Sequence, residues 1–289
     1  MFRPKIFTYK LLLNILLRLP DFFYSFLFTI AFPIYRVLHT ERAYGRVVKH
    51  LKAAKGYFKQ NVTARSVFKG IYWNALDSYR GLARFKSVER RIVFENEDII
   101  KNAVSECTKI GMPIAGISIH QGSFELMHRI LCRYSEHVHL ITDSVGDTAF
   151  RDVLKELRSD PHLTEYHPEE TGKLIRELFR TKGILAMVFD QGKNTKGNTV
   201  ELFGRQTTLY LRLIQKINQM GAGIVTFRTW TENTPERRIV IHFETFYPPK
   251  YCAQGRDIVS DIACETERWI ADHPDQWSWN YHGNFITHP

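Results

Sequence analysis

His120 and Glu125 stand five residues apart in the stretch IAGISIHQGSFE, residues 114–125. An imidazole whose Nδ1–H is held by a carboxylate has a fixed tautomer and a more basic Nε2. That is what a general base for a hydroxyl requires. The spacing alone is common, so the surroundings decide its meaning. Ile114–Ile119 is an apolar run that follows Gly111-Met112-Pro113 and reads as a buried strand. Gly122-Ser123 reads as a tight turn into a helix over Gly122–Tyr134, with Leu126, Met127, Ile130 and Leu131 on one face. His120 is therefore expected at the carboxyl end of a strand and Glu125 in the first turn of the next helix, with Glu125 holding Nδ1–H. In open α/β sheets that crevice is where ligands bind.

A second strand end carries chemistry. Ile184–Phe189 is fully apolar and stops at Asp190-Gln191-Gly192, before a long loop rich in Gly, Asn and Lys. Such loops are functional or disordered more often than structural. Lys193 and Lys196 offer charge for an anionic group, but GxxxxGK[ST] is absent, so this is not a nucleotide phosphate loop. His137, His139 and Asp143 do not present a convincing zinc set, because the two histidines share a strand face that Asp143 does not obviously join. Ser123 lies outside a GxSxG elbow, which argues against a serine hydrolase. No metal or cofactor is expected.

The elements that must position these groups alternate from about Val88 onward. Strands are expected at Arg91–Glu95, Ile114–Ile119, His137–Thr142, Ile184–Phe189, Ala222–Trp230 and Arg237–Phe246. Helices are expected at Asp98–Lys109, Gly122–Tyr134, Thr148–Ser159, Pro168–Thr181, Thr207–Met220 and Arg256–His273. The fold class this implies is α/β, a mixed central sheet flanked by helices, with the last two strands joined as an antiparallel hairpin. At 289 residues with 44% hydrophobic content the chain can bury one large domain and carry a short appended segment. The four cysteines are scattered with no CxxC, as expected of reduced thiols in a reducing compartment.

Charge and hydropathy divide the chain. Residues 1–90 hold 17 Lys/Arg against 4 Asp/Glu, while residues 91–289 hold 23 against 26. All the excess positive charge thus accompanies the most apolar stretch, which is the pattern of a segment on an anionic membrane surface. No groove-reading motif appears, and Leu11–Tyr35 is too apolar for a solvated arm, so nucleic acid is not an expected partner. Leu11–Leu19 and Phe22–Tyr35 are separated by Pro20 and Asp21, and neither run reaches the roughly 18–20 residues of a bilayer span. No small-residue site follows for a signal peptidase. Two membrane arrangements remain, a helix pair embedded in one leaflet or a single anchor containing Pro20, with a buried core hairpin as the alternative without a membrane. Residues 1–40 are taken as the membrane-associated segment and 41–289 as the α/β domain, with a basic helical face over residues 41–70.

Several separated stretches agree on one family. His120-Gln121-Gly122-Ser123-Phe124-Glu125 resembles the HxxxxD/E signature of glycerolipid acyltransferases, in the form found in the late lipid A acyltransferases, which add secondary acyl chains to lipid A precursors. Val188-Phe189-Asp190-Gln191, Leu202-Phe203-Gly204-Arg205-Gln206-Thr207-Thr208 and His273-Pro274-Asp275-Gln276-Trp277-Ser278-Trp279 resemble further stretches of that family, in order and spacing. The resemblance covers roughly residues 70–286. It implies O-acyl transfer from a thioester to a lipid hydroxyl at the cytoplasmic face of a bacterial inner membrane. The donor would be acyl carrier protein or coenzyme A, His120 and Glu125 would be catalytic, and Asp190, Gln191, Lys193 and Arg205 would contact substrate. There are departures. Thr142-Asp143 stands where many members carry Tyr-Arg, the loop after Asp190 has lysines in place of arginines, and Tyr281-His282-Gly283-Asn284-Phe285 replaces a His-Arg-Arg-Phe pattern. Fewer arginines leave another glycolipid, an aminolipid or a lysophospholipid as alternative acceptors. A non-catalytic membrane-binding protein is the alternative of a different class.

Overall fold

The computed structural model describes residues 4–39, 43–142, 148–191 and 196–280. In chain order its helices are α1 (Pro4–Leu16), α2 (Asp21–Leu38), α3 (Gly45–Ala54), α4 (Ala64–Ala83), α5 (Phe85–Glu89), α6 (Glu97–Lys109), α7 (Met127–Leu131), α8 (Thr148–Arg158), α9 (Thr171–Thr181), α10 (Arg212–Gln219) and α11 (Ile258–Asp272). Its strands are β1 (Ile92–Glu95), β2 (Ile114–Ser118), β3 (Val138–Ile141), β4 (Leu163–Tyr166), β5 (Ile184–Val188), β6 (Asn198–Leu202), β7 (Arg205–Leu209), β8 (Gly223–Thr231) and β9 (Ile239–Tyr247).

Seven strands form one sheet in the order β1-β9-β8-β2-β5-β3-β4, and β6 and β7 pair separately. Strands β8, β2, β5, β3 and β4 run parallel; β9 is antiparallel to β8, and β1 is parallel to β9. The expected α/β class and the β8–β9 hairpin are therefore present. The central strands read as continuous apolar runs because both faces of the sheet are covered. Along β2 the side chains alternate between two cores: Ala115, Ile117 and Ile119 enter one, and Ile114 enters the other. Gly116 leaves room for the Leu131 side chain, which a Cβ would meet at 2.8 Å.

Helix α4 ties the N-terminal third to the sheet. Thr63 and Ser66 cap it reciprocally, each side-chain oxygen accepting the other's backbone N–H. Asp77, fully buried on α4, pairs with Arg91 at 3.0 Å and Arg237 at 2.8 Å. Arg237 also lies over the Trp73 ring, 4.1 Å from its centroid. This buried carboxylate joins α4 to the start of β1 and to the β8–β9 turn.

Three expectations need correction. Thr207–Met220 is not one helix: Arg205–Leu209 is a strand, and the helix starts only at Arg212. The strand wins because Thr207 and Leu209 alternate against Val200 and Asn198 across a two-residue turn at Phe203-Gly204, both at positive φ. The helix expected over Gly122–Tyr134 shrinks to a 3-10 turn at Phe124–Leu126 and the single turn and a half of α7. The basic face over residues 41–70 is shared by α3 and the start of α4, with a break at residues 55–63. Strand β4 carried no expectation; at four residues it is too short to show a period.

Candidate active site

The site follows from register. Strands β2 and β5 are neighbours in the parallel sheet, with Ser118 opposite Val188. Two residues further, past both strand ends, His120 and Asp190 are level with one another. The His120 backbone N–H donates to both Asp190 carboxylate oxygens at 3.1 Å, and its Nδ1 lies 2.7 Å from Oδ1. The indole Nε1–H of Trp277 donates to Oδ2 at 2.8 Å. Asp190 is only 2% exposed, and these contacts give its two oxygens three donors. An ionised carboxylate only accepts, so Nδ1 carries the proton and Nε2 keeps its lone pair.

Electrostatics make that ring more basic. Burial pushes the His120 pKa down, but the charge of Asp190, its hydrogen bond and the charge of Glu125 outweigh that and leave it above the ordinary 6.5. The neighbouring His128 is the opposite case. Burial, with Arg158 and Arg129 nearby, drives it down to about 3, so it stays neutral. Of the two histidines near the turn, only His120 is set up as a base. The His120 side chain is 13% exposed, and the Phe124 ring meets it edge-on at 4.6 Å.

The expectation that Glu125 holds Nδ1 is corrected: Asp190 holds it. After Gly122 the chain turns through the Phe124–Leu126 3-10 turn, and Glu125 instead forms a two-pronged ion pair with Arg158 at the end of α8. Arg158 Nε and Nη2 lie 2.9–3.1 Å from its oxygens. Burial opposes the charge on Arg158, yet Glu125 holds the guanidinium's pKa above its usual value. Arg158 Nη1 lies 3.5 Å from the Thr142 hydroxyl. Thr142 is the residue before Asp143, where the resemblance expected an arginine; Asp143 itself lies outside the described residues.

A strap over residues 273–279 braces the motif loop. Gly122 N–H donates to the Gln276 carbonyl, Ser278 N–H donates to the His120 carbonyl, and Gln121 pairs with Trp277 as a β-bridge. The Gln121 amide donates to the Trp269 carbonyl at 2.9 Å, and the Thr229 hydroxyl donates to the Gln121 carbonyl at 2.7 Å. The Gln276 side chain brackets the backbone of Thr231 at 2.8 and 2.7 Å, and Asn74 of α4 donates to its carbonyl at 3.2 Å. In the sequence this stretch stands out only through the family resemblance. Its Trp277 is a direct partner of Asp190, 87 residues away, which no local pattern announces.

Gly122 is required by this arrangement. Its φ is +59°, and a Cβ would lie 2.3 Å from the Thr229 carbonyl oxygen. Gly122→Ala is expected to destabilise the protein by at least about 1–3 kcal/mol from backbone strain alone. A urea midpoint unchanged from wild type would contradict this geometry.

The remaining expected contacts are dispersed. Gln191 is exposed just beyond Asp190. Lys193, Asp143 and residues 281–285 lie outside the described residues, while Lys196 is exposed. Arg205 opens β7 on the small hairpin, and no hydrogen bond or ion pair among the described residues links it to His120, Asp190 or Glu125. That hairpin packs on α11, where the Phe203 N–H donates to Glu267 and the Phe203 ring stacks with Trp279. His139 is a core histidine with Nδ1 3.3 Å from the Tyr166 hydroxyl and Nε2 2.8 Å from the Thr181 hydroxyl.

The arrangement can take a proton at Nε2, stabilise the imidazolium that results through Asp190, and present a paired guanidinium alongside. Against known proteins, the family model described as bacterial lipid A biosynthesis acyltransferase matches residues 82–282, a span that includes every residue of this constellation. No curated protein matches the chain significantly.

Proposed function

The chain belongs to the bacterial lipid A biosynthesis acyltransferase family, and on that premise we propose that His120 is the general base of an O-acyl transfer assisted by Asp190. The family supports acyl transfer onto a lipid A-like substrate. In the proposed step an acceptor hydroxyl, on a hydroxyacyl chain or a sugar, gives its proton to His120 Nε2 as its oxygen attacks the carbonyl carbon of an acyl thioester. The tetrahedral intermediate collapses by breaking the C–S bond. The departing thiolate takes the proton back from Nε2–H, leaving an ester, a free thiol and neutral His120. Asp190 keeps Nδ1 protonated throughout and offsets the imidazolium charge, as a triad carboxylate does. No covalent enzyme intermediate is needed, since the thioester is already activated.

One observation carries this reading: the 2.7 Å contact between His120 Nδ1 and an Asp190 carboxylate that also accepts from Trp277. The donor is proposed to be an acyl carrier protein, with coenzyme A as the alternative. The acceptor is proposed to be a lipid A precursor receiving a secondary chain, at the cytoplasmic face of the inner membrane. The Glu125–Arg158 pair is proposed to flank the reacting groups, with Gln191, Lys193 and Arg205 as further substrate contacts. The same chemistry would serve another glycolipid, an aminolipid or a lysophospholipid.

Mass spectrometry of lipid A and total membrane lipids tests the reading, comparing cells with the gene, without it, and with a His120→Ala allele. Loss of one acyl chain from lipid A in both the deletion and the allele is the expected result. An intact lipid A with a change in another lipid class would move the acceptor and keep the chemistry. A normal lipid profile in the His120→Ala cells would remove the general-base role.

A further inference from the structure

Helix α2 is the one described helix long and apolar enough to cross a membrane. At 1.5 Å per residue its 18 residues extend about 27 Å, close to the hydrocarbon thickness of a bilayer. Length therefore permits a span; packing decides against it. Every fourth residue of α2 is committed to the protein. Tyr24 packs on Tyr72 and Trp73, Phe28 on Tyr72, and Phe32 on Phe68 and Tyr44. Tyr35 meets Phe68 as well. Over that length α2 lies antiparallel along α4, the helix whose Asp77 is salt-bridged to β1 and the β8–β9 turn and whose Asn74 bonds the strap at Gln276. A transmembrane α2 would draw α4 into hydrocarbon, together with the buried ion pairs and the sheet that α4 carries.

The junction between α1 and α2 is fastened to the same helix. Arg80 of α4 donates to the Leu19 carbonyl at 2.7 Å, pairs with Asp21 at 2.6 Å and lies over the Tyr24 ring. Arg84 donates to the Asn14 side chain at 2.8 Å. Helix α1 packs on α8, where Tyr9 meets Phe150 edge-on and Lys10 pairs with Glu156. Pro20 therefore sits between two separate helices, and the arrangement with one continuous anchor is not what the structure contains.

The other face of α2 is uncharged and bare: Phe22 is 75% exposed, Phe26 59%, Ile30 50%, Ile34 58% and Val37 76%. Their spacing of three to four residues makes one stripe. No charged side chain lies between Asp21 and Arg36. Basic residues follow its apolar stripe: Arg36 lies over the Tyr44 ring just before α3, on which Lys49 and Lys52 are exposed. An apolar stripe with adjacent cations fits lipid tails and anionic headgroups together.

We infer that α2, held along α4 by its Tyr24–Phe28–Phe32 face and by Arg80, lies in the plane of a single anionic leaflet with its Phe22–Val37 stripe among the lipid tails. This deepens the lipid-acceptor reading by fixing how the domain meets the membrane. Helix α4 also borders the 3-10 turn carrying Glu125, since a Cβ on its Gly81 would touch Leu126 at 2.5 Å. The catalytic turn is thus one helix layer from the proposed lipid contact, and an amphiphilic acceptor need not leave the leaflet fully to be used.

Depth-dependent quenching tests this on the full chain, with the native cysteines replaced. Single Phe22→Cys, Ile30→Cys and Leu38→Cys variants are labelled with an environment-sensitive fluorophore. Each is mixed with vesicles of phosphatidylethanolamine and phosphatidylglycerol that contain lipids brominated near either the headgroup or the chain end. Comparable quenching of all three labels, stronger from the shallow bromines, is expected. Deep quenching at position 30, with positions 22 and 38 reached by a membrane-impermeant reagent from opposite sides, would overturn the inference in favour of a span. Absence of quenching would overturn it in favour of a protein-covered or solvated face. Acyl transfer by the same proteins to a detergent-dispersed lipid A precursor reports separately on the proposed function. Activity there with a failed depth test would reject only the membrane geometry.

Discussion

Replacing Asp190 with asparagine is expected to lower the acyl-transfer rate by about 100- to 10,000-fold, the range over which general-base catalysis operates. Three N–H groups converge on this carboxylate: the His120 backbone, the His120 ring and the Trp277 indole. An amide in its place offers one oxygen and turns an NH2 toward at least one donor, so either the ring or the indole loses its partner. If the ring flips its tautomer, Nε2 becomes protonated and cannot accept a hydroxyl proton. The pH dependence separates this from simple unfolding. Asp190 raises the His120 pKa, and the base works only when deprotonated, so the wild-type rate falls as pH drops through that raised value. Without the carboxylate charge, burial is opposed only by Glu125, and the acid limb of kcat/KM should move to lower pH. A folded Asp190→Asn protein whose acid limb stays in place would show that His120 does not answer to Asp190.

The second large effect concerns Glu125 and Arg158. Their side chains are only 23% and 7% exposed, and each is the other's charged partner. Arg158→Met alone is expected to cost about 3 kcal/mol, because it leaves Glu125 charged without its guanidinium. Adding Glu125→Gln should recover much of that loss, with a coupling energy of about 0.5–3 kcal/mol in a double-mutant cycle of urea midpoints. Activity should not recover with it. Glu125 contributes to the raised His120 pKa, Arg158 is the cation proposed to flank the reacting groups, and the double variant lacks both charges. Near-wild-type turnover in the double variant would reduce the pair to a structural tie, and additive stability losses would deny the ion pair itself.

These two predictions mark where sequence reading reaches and where it stops. Strands β2 and β5 were legible because each is an apolar run with abrupt ends, and His120 and Asp190 were visible as the polar residues at those ends. What could not be read was that β5 is β2's neighbour. Adjacency in a parallel sheet leaves no local pattern, so Glu125, close in sequence, took the place of Asp190, close in space. The Glu125–Arg158 pair was hidden for the same reason: it joins a 3-10 turn to the end of a helix 33 residues on. The β6–β7 hairpin was missed because its turn holds Phe203 at positive φ, where Asn or Gly would have announced it. Long helices with one apolar face, such as α6, α8 and α11, were placed within one or two residues because their period is local.

The strap that braces the motif loop has a consequence for synthesis. Gln276, Trp277 and Ser278 are made after all nine strands of the described residues, yet they hold Gly122, Asp190 and His120. A ribosome-bound chain that has completed the sheet still lacks the indole donor to Asp190 and the backbone bonds that set the turn. Contacts joined across some 150 residues are slow to form. Competence for proton transfer should thus arrive late and abruptly, as the final stretch docks, and a stop codon just after Asp272 would yield a seven-stranded sheet with no poised base.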